Sequence, residues 1–182
     1  IFENGRVFHG TGFGSFNEAI CEVVFNTSMV GYQEIMSDPS YCDQIVCMTY
    51  PLIGNYGLTD EDYETKIPHL GGFLVREYND YPSNYRYTRT LADVMSEYGI
   101  VGIQGVDTRQ IRNEGSMRAI IVDEERPDSS ALEEMGNTPW IHNQVSKVSC
   151  KRLWYSRTSN YKYNIVAIDC GIKHNIIRQL NA

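Results

Sequence analysis

The sequence predicts a mixed α/β fold, because short apolar runs typical of strands alternate with segments whose apolar residues recur at helical spacing. Residues 20–26, 44–50, 72–76 and 100–103 are apolar runs separated by Gly, Pro, Asn or Ser turns, and each predicts a strand. Residues 91–98 carry one apolar stripe at positions i, i+3, i+4 and i+7, which predicts a helix. This alternation of elements indicates a sheet with helices packed against it.

Polar residues at particular positions predict where the helices begin and end. Thr90 precedes the first helix and is expected to cap it, and Gly99 is expected to end it. Asp107 is expected to cap a second short helix that ends near Gly115. Residues 117–122 then predict a further strand.

Glycines mark two features of the N-terminal segment. Asn4-Gly5 lies between two apolar pairs and predicts a hairpin in which both turn residues take positive φ. Residues 10–14, Gly-Thr-Gly-Phe-Gly, suggest a phosphate-binding loop, but the residues that follow do not open a helix as a dinucleotide fingerprint requires. We therefore prefer a glycine turn between strands and keep nucleotide binding as the alternative.

The sequence becomes polar and rich in turn residues after residue 122. A short helix is expected around residues 131–135. Residues 136–162 show no clean periodicity and predict a linker with local packing by Trp140 and Trp154.

Regular structure is expected to return near the C-terminus. Residues 163–169 predict a buried strand, and the apolar stripe within residues 172–180 predicts a helix. Together they are typical of the opening strand and helix of a further α/β unit. The expected organisation is therefore a first domain at 1–135, a linker at 136–162, and the start of a second domain at 163–182.

Composition excludes several classes of function. The chain has 182 residues and a formal net charge of −7, which gives no overall basic field for nucleic acid or anionic membranes. Its cysteine count is odd and no pair is spaced as CxxC, which argues against a disulfide framework and favours a reducing, cytoplasmic setting. Cys47 lies in an apolar run and is expected to be a buried thiol.

Metal binding and thiol catalysis find little support in the residue pattern. The four histidines show no ligand spacing, and the acidic cluster of Glu61, Asp62 and Glu64 is typical of a solvated loop, so we expect no metal site. Cys170 follows a predicted strand and precedes Gly171 and a helix, an arrangement that suggests a nucleophile elbow. A packed thiol at the end of a buried strand is the preferred interpretation, because no nearby base is evident.

Several stretches are too particular to be explained by core packing alone. Their turns present hydroxyl and amide groups that suit a polar small molecule or a partner surface. The first three are residues 22–41, 49–57 and 105–109, and they are joined by 71–76, 82–84, 115–118 and 165–178. Taken together and in this order, they resemble the small subunit of carbamoyl phosphate synthetase over nearly the whole chain.

The resemblance implies a swivelling β/β/α N-terminal domain, followed by the first strand and helix of a class I glutamine amidotransferase domain of flavodoxin-like fold. It implies a large, ATP-using subunit as partner, glutamine as substrate, and no cofactor in this chain. The family's nucleophile sits in a Gly-x-Cys-x-Gly turn, which these residues lack, so no catalytic residue is assigned. Ser40, in Asp-Pro-Ser-Tyr, matches the family's one glutamine contact from the N-terminal part; a serine that only stabilises its turn remains the alternative.

Two positions depart from the family pattern. Cys21 stands where the family usually has Gly. The segment after Asp107 is also shorter than usual, so its helix is expected to be about one turn shorter than in the family. A second hypothesis for the function is an interaction module that docks a large subunit, in which Ser40 has no substrate contact.

Overall fold

The computed structural model describes residues 1–140 and 142–182 and confirms a mixed α/β fold. The strands are β1 Thr11–Gly14, β2 Ala19–Asn26, β3 Gln44–Met48, β4 Leu52–Ile53, β5 Gly72–Leu74, β6 Glu77–Tyr78, β7 Val101–Gln104 and β8 Arg118–Ile121. The helices are α1 Tyr32–Ser37, α2 Leu91–Glu97, α3 Thr108–Glu114, α4 Asp128–Asn137, α5 Gln144–Val148 and α6 His174–Leu180, and a short 3₁₀ turn spans Pro39–Tyr41. No helix in the described part of the chain has the length and apolar character needed to cross a membrane.

A six-stranded curled sheet of order β1-β7-β5-β3-β2-β8 organises the molecule. Its four central strands, β7, β5, β3 and β2, run parallel, whereas β1 and β8 lie antiparallel at the two edges. After β3 and β5 the chain bends into a second, two-stranded parallel sheet of β4 and β6. Parallel neighbours place all of their carboxyl ends at one end of the sheet and all of their amino ends at the other.

Strand alternation divides the core into two layers. Val46 and Met48 face a cluster that includes the buried side chains of α1 and α2, whereas Ile45 and Cys47 face the opposite layer, where Ile111 of α3 packs. Helix α4 covers β8 through Ala131 and Met135. The sheet is therefore buried on both faces, as expected for parallel strands.

The helix caps confirm the sequence prediction. Thr90 Oγ1 accepts the N–H of Asp93 at 3.2 Å and begins α2. Asp107 Oδ1 accepts the N–H groups of Arg109 at 3.1 Å and Gln110 at 3.0 Å and begins α3. Each cap satisfies main-chain donors that a helix start leaves unpaired.

The predicted N-terminal hairpin is wrong in its pairing. A turn does form, with Gly5 at φ 81°, but Asn4 is not among the described residues at positive φ. Phe2 N–H donates to the main-chain oxygen of Arg6 across the turn at 2.8 Å, but the β-bridge of Phe2 is with Ala119 of β8, so residues 1–8 form no two-stranded hairpin. The open edge of β8 offers this segment a better ladder than a two-stranded hairpin would.

The glycine-rich segment is an edge strand, so the phosphate-loop and glycine-turn interpretations are both wrong. β1 occupies residues 11–14 and pairs with β7. A Cβ added to Gly10 would lie 2.3 Å from the carbonyl oxygen of Gln104. Gly14 has φ 76°, and a Cβ there would lie 2.8 Å from Cβ of Met95. Close packing of the strand accounts for Gly10 and Gly14.

The C-terminal region differs from its prediction in one important respect. Helix α4 is longer than expected, and α5 lies within the predicted linker. Residues 163–169 form no strand, and Val166 and Ile168 are 95% and 89% exposed. A strand needs a neighbour to complete its hydrogen bonds, and the described residues place none beside this segment. The predicted helix is present as α6 and begins at His174.

Candidate functional site

Ser40 lies in the 3₁₀ turn between α1 and β3. Asp38 begins this turn, and its Oδ1 accepts the N–H of Ser40 at 2.8 Å, while Pro39 fixes the first helical position. Tyr41 anchors the other side, because its hydroxyl accepts the side-chain N–H of Asn26 at 3.1 Å. The turn is therefore held by side chains on both sides of Ser40.

The hydroxyl of Ser40 is exposed and makes no hydrogen bond within residues 1–140 and 142–182. The turn is held through the main chain of Ser40 and the carboxylate of Asp38, not through this hydroxyl. The hydroxyl is thus available as a donor and an acceptor to a polar molecule.

A second turn, at residues 169–173, packs beside the Ser40 turn. Lys173 forms an ion pair with Asp38, through the carboxylate oxygen that Ser40 does not use. Gly171 has φ 101°, and a Cβ there would lie 3.3 Å from Cβ of Pro39 and 2.6 Å from Cγ2 of Val148. A side chain at position 171 would clash with Val148 of α5 and would crowd Pro39.

Asp169 organises the second turn. Its Oδ1 accepts the N–H groups of Gly171 at 3.0 Å and Ile172 at 2.9 Å, and its Oδ2 accepts the indole N–H of Trp154 at 3.1 Å. Burial acts to raise the pKa of Asp169, but these donors outweigh it and lower the pKa. Trp154 is thereby hydrogen-bonded to the second turn, although its side chain is 42% exposed and does not pack as predicted for the linker.

The acidic cluster anchors α6, a role that sequence analysis missed. The main-chain oxygen of Glu64 accepts the N–H of His174 at 2.9 Å, and its carboxylate accepts the N–H of Asn175 at 3.1 Å. Arg178 donates to the main-chain oxygen of Glu61. No group of His, Cys, Asp and Glu side chains in the described part of the chain is arranged to hold a metal ion.

A buried polar connection links α1 to the same loop. Gln33 is 1% exposed and exchanges two hydrogen bonds with the main chain of Thr59. Ser37 Oγ accepts the N–H of Glu64 at 2.9 Å. Helix α1, the acidic loop and α6 are thus joined around the Ser40 turn, and full pairing offsets the cost of burying Gln33.

The cysteines fall into buried and exposed groups. Cys47 is fully buried as predicted, and burial raises the pKa of its thiol to about 12. Cys170 is exposed, so the prediction of a packed thiol is wrong. A nucleophile elbow is also absent here, because the residues directly before Cys170 form no strand and α6 begins only at His174.

A small cavity of about 80 Å³ lies on the α3 side of the sheet. Phe8, Leu74, Val106 and Ile111 are among the residues that line it. Its volume corresponds to only a few water molecules, since water occupies roughly 30 Å³ each in the liquid. An amino-acid substrate does not fit in this cavity.

Comparison with known proteins identifies the family. Residues 1–121 match the family model described as carbamoyl-phosphate synthase small chain, CPSase domain. The carbamoyl phosphate synthase small chain of Syntrophotalea carbinolica is 46% identical over 98% of this chain and 53% of its own length. The small chain of Chlorobaculum tepidum is 45% identical over 100% of this chain and 51% of its own. The pyrimidine-specific small chain of Bacillus subtilis is 43% identical over 100% of this chain and 50% of its own.

The chain therefore spans about half the length of the curated relatives it matches. The similarity extends through residues that form both the Ser40 turn and the turn at 169–173, since it covers nearly all of the chain. On this evidence the chain belongs to the carbamoyl phosphate synthase small chain family.

Proposed function

We propose that the chain is part of the small subunit of a glutamine-hydrolysing carbamoyl phosphate synthase. In this proposal the small subunit releases ammonia from glutamine and a large, ATP-using subunit converts it to carbamoyl phosphate, for pyrimidine and arginine synthesis. This chain contributes docking to the large subunit and one wall of the glutamine site. Its first domain is a swivelling β/β/α unit, and residues 163–182 open the class I amidotransferase domain.

The exposed hydroxyl of Ser40 is the observation that carries the substrate contact. It lies on a turn fixed by Asp38, and that turn is joined by an ion pair to Lys173 in the segment proposed to open the amidotransferase domain. A polar group placed where two domains meet is typical of ligand sites. Ser40 would hydrogen-bond a polar group of glutamine without taking part in the chemistry.

Hydrolysis itself is assigned to residues outside this sequence. No Gly-x-Cys-x-Gly turn occurs in the 182 residues. Cys170 is exposed but is hydrogen-bonded to no base within the described residues. We accordingly propose no catalytic residue, cofactor or metal in this chain, and a cytoplasmic setting that suits its five free thiols.

Glutamine hydrolysis by the full-length subunit tests the proposal. We expect Ser40→Ala to raise the KM for glutamine by about tenfold, because one hydrogen bond to a substrate stabilises binding by about 1–1.5 kcal/mol. Ser130→Ala is the matched control, since Ser130 is exposed on α4, away from the Ser40 turn. An unchanged KM in Ser40→Ala would favour the second candidate, a subunit-interaction module with no substrate contact.

A further inference from the structure

Tyr41 connects the Ser40 turn to the far end of the central sheet. It is the last residue of the 3₁₀ turn, which precedes the amino end of β3. Its hydroxyl accepts a hydrogen bond from the side chain of Asn26, the last residue of β2. Asn26 lies beside Met48 at the carboxyl end of β3. The side chain of Tyr41 therefore extends over the sheet, from the turn before β3 to the end of β2.

The ring of Tyr41 lies on the face of the sheet that α1 and α2 cover. Tyr41 and Val24 are both half-buried and pack against the core cluster on this face. Val24 and Asn26 are two positions apart in β2, so their side chains point to the same face. Packing thus fixes the path of the tyrosine ring, and the hydrogen bond to Asn26 fixes its end.

Further hydrogen bonds hold Asn26 in one orientation. Its main-chain oxygen accepts the N–H of Thr49 at 3.0 Å and the hydroxyl of Thr49 at 3.3 Å. Its Oδ1 accepts the N–H of Ser28 at 2.8 Å. An amide side chain has one acceptor oxygen and one donor nitrogen. Because the oxygen faces Ser28, the nitrogen is presented to Tyr41, and the distance from Nδ2 to the tyrosine oxygen is 3.1 Å.

The position of Ser40 depends on both of its neighbours. Asp38 holds the N–H of Ser40, and the N–H of Tyr41 closes the turn on the main-chain oxygen of Asp38 at 3.1 Å. A 3₁₀ turn this short has few hydrogen bonds of its own, and their geometry is poorer than in an α-helix. The bond from Tyr41 to Asn26 adds an attachment to a central strand of the sheet. It therefore restricts the motion of the Ser40 hydroxyl.

We propose that Asn26 and Tyr41 are positioning residues for glutamine, which set the place of the Ser40 hydroxyl without touching the substrate. The inference rests on the proposed function and adds to it the residues that act through Ser40. A group already held in its binding position loses less conformational freedom when the ligand binds. Loss of the hydrogen bond between Asn26 and Tyr41 therefore weakens glutamine binding even though Ser40 is still present.

Glutamine kinetics of the full-length small subunit, assembled with its large subunit, test the inference. We expect Tyr41→Phe to raise the KM for glutamine about threefold, less than removal of the Ser40 hydroxyl, because only its positioning is impaired. Kinetics with ammonia as the nitrogen donor should not change, since ammonia bypasses the glutamine site. A rise in KM confined to glutamine is the expected result, and equal losses with both donors would overturn the inference.

Tyr78→Phe is the matched control. Tyr78 is also half-buried and packs against the same core cluster, and its hydroxyl accepts the N–H of Ala92 at 3.2 Å, outside the Ser40 turn. Its substitution removes a bonded hydroxyl from the same layer and should leave the KM for glutamine unchanged. A rise in KM equal to that of Tyr41→Phe would assign the effect to lost stability and overturn the inference.

Substitutions of Asn26 test the other partner of the hydrogen bond. Asn26→Leu keeps the approximate size of the side chain but removes its hydrogen bonds, and it should raise the KM for glutamine about as much as Tyr41→Phe. Asn26→Asp should restore a KM near that of the unsubstituted enzyme, because a carboxylate accepts both the N–H of Ser28 and the hydroxyl of Tyr41. Equal KM values for the two Asn26 variants would contradict a role for this hydrogen bond.

The double variant Ser40→Ala/Tyr41→Phe separates positioning from a general loosening of the fold. If Tyr41 acts through Ser40, its substitution should not raise the KM further once the hydroxyl of Ser40 is gone. A rise of the same size with and without that hydroxyl would overturn the inference. An unchanged KM in Tyr41→Phe would overturn it too, and the proposed function would stand if Ser40→Ala alone still raised the KM. Unchanged KM values in both single variants would overturn the glutamine contact itself.

Discussion

The rings of Tyr32 and Tyr56 stack with their centroids 4.1 Å apart. The hydroxyl of each tyrosine accepts a hydrogen bond from the main-chain N–H of the other. Tyr56 hydroxyl accepts the N–H groups of Gly31 at 2.7 Å and Tyr32 at 3.1 Å. Gly31, at the start of α1, has φ 90° and no side chain to cap the helix. Tyr56 therefore replaces the missing cap, and it fixes the helix that leads into the Ser40 turn.

Tyr56→Phe is expected to lower the free energy of unfolding by about 1–2 kcal/mol, because α1 loses the acceptor for two main-chain donors. Chemical denaturation measures the change. Tyr85→Phe is the matched control, since Tyr85 is 93% exposed and its substitution should leave the free energy of unfolding nearly unchanged. Equal stability of the two variants would show that Tyr56 does not cap α1.

Gly71 and Cys21 lie so close together that position 71 has no room for a side chain. A Cβ on Gly71 would lie 2.5 Å from Sγ of Cys21, so Gly71→Ala is expected to destabilise the protein by about 1–3 kcal/mol through overpacking. Cys21→Ala in the same chain removes the sulfur and should recover part of the loss, which a double-mutant cycle measures. Additive effects of the two substitutions would contradict the contact.

Gly136→Ala is the matched control for Gly71→Ala. No atom lies within 4 Å of a Cβ added at position 136, which is inside α4. Alanine there should stabilise the protein by up to about 1 kcal/mol, because it favours the helix. The two glycine substitutions are therefore expected to change the melting temperature in opposite directions.

Burial of two thiols predicts a loss of stability at alkaline pH. The pKa of Cys21 is raised by burial, and then by Asp43, from 9.0 to about 11, and burial raises the pKa of Cys47 from 9.0 to about 12. The folded state thus holds these protons more tightly than the unfolded state. Their stabilisation is complete below pH 9.0 and is lost as the pH rises toward the folded pKa values.

Urea denaturation on both sides of pH 9.0 measures this loss. The double variant Cys21→Ala/Cys47→Ala should lose less stability over the same interval, because both thiols are gone. Tyr32 and Tyr78, whose pKa values burial also raises, remain in both proteins and cancel in the comparison. Identical pH profiles would show that the thiols do not titrate in this way.

Thiol labelling should distinguish two cysteines from the other three. Cys150 and Cys170 are exposed, whereas Cys42 and Cys47 are buried and Cys21 is half-buried. A soluble thiol reagent should modify Cys150 and Cys170 rapidly in the native protein and all five cysteines after denaturation. Peptide mapping checks the sites, and rapid labelling of Cys47 would contradict its position in the core.

Local signals allowed much of the fold to be predicted. Thr90 and Asp107 cap the helices that they were expected to cap, because capping depends on residues three or fewer positions away. The central strands could be predicted because a parallel sheet is buried on both faces and its strands are therefore continuous apolar runs. The two-residue strands β4 and β6 carry too short a pattern to be recognised, and α1 begins at Gly31 without a capping side chain.

Features that depend on distant partners were not predictable. Residues 163–169 have the composition of a buried strand, yet strand formation depends on a neighbouring strand, and the described residues place none beside this segment. Glu64 has the local pattern of a solvated loop, but α6 approaches it from 111 residues away in sequence. Ser40 was found only through its resemblance to a family motif, since a serine in a turn has no signal of its own.

The central claim is that Ser40 contacts glutamine while the rest of the chain serves assembly. The most direct test measures carbamoyl phosphate formation by the assembled enzyme carrying Ser40→Ala, with glutamine or with ammonia as the nitrogen donor. The account predicts a higher KM for glutamine and unchanged kinetics with ammonia, because ammonia bypasses the glutamine site. Unchanged kinetics with glutamine, or equal losses with both donors, would contradict it.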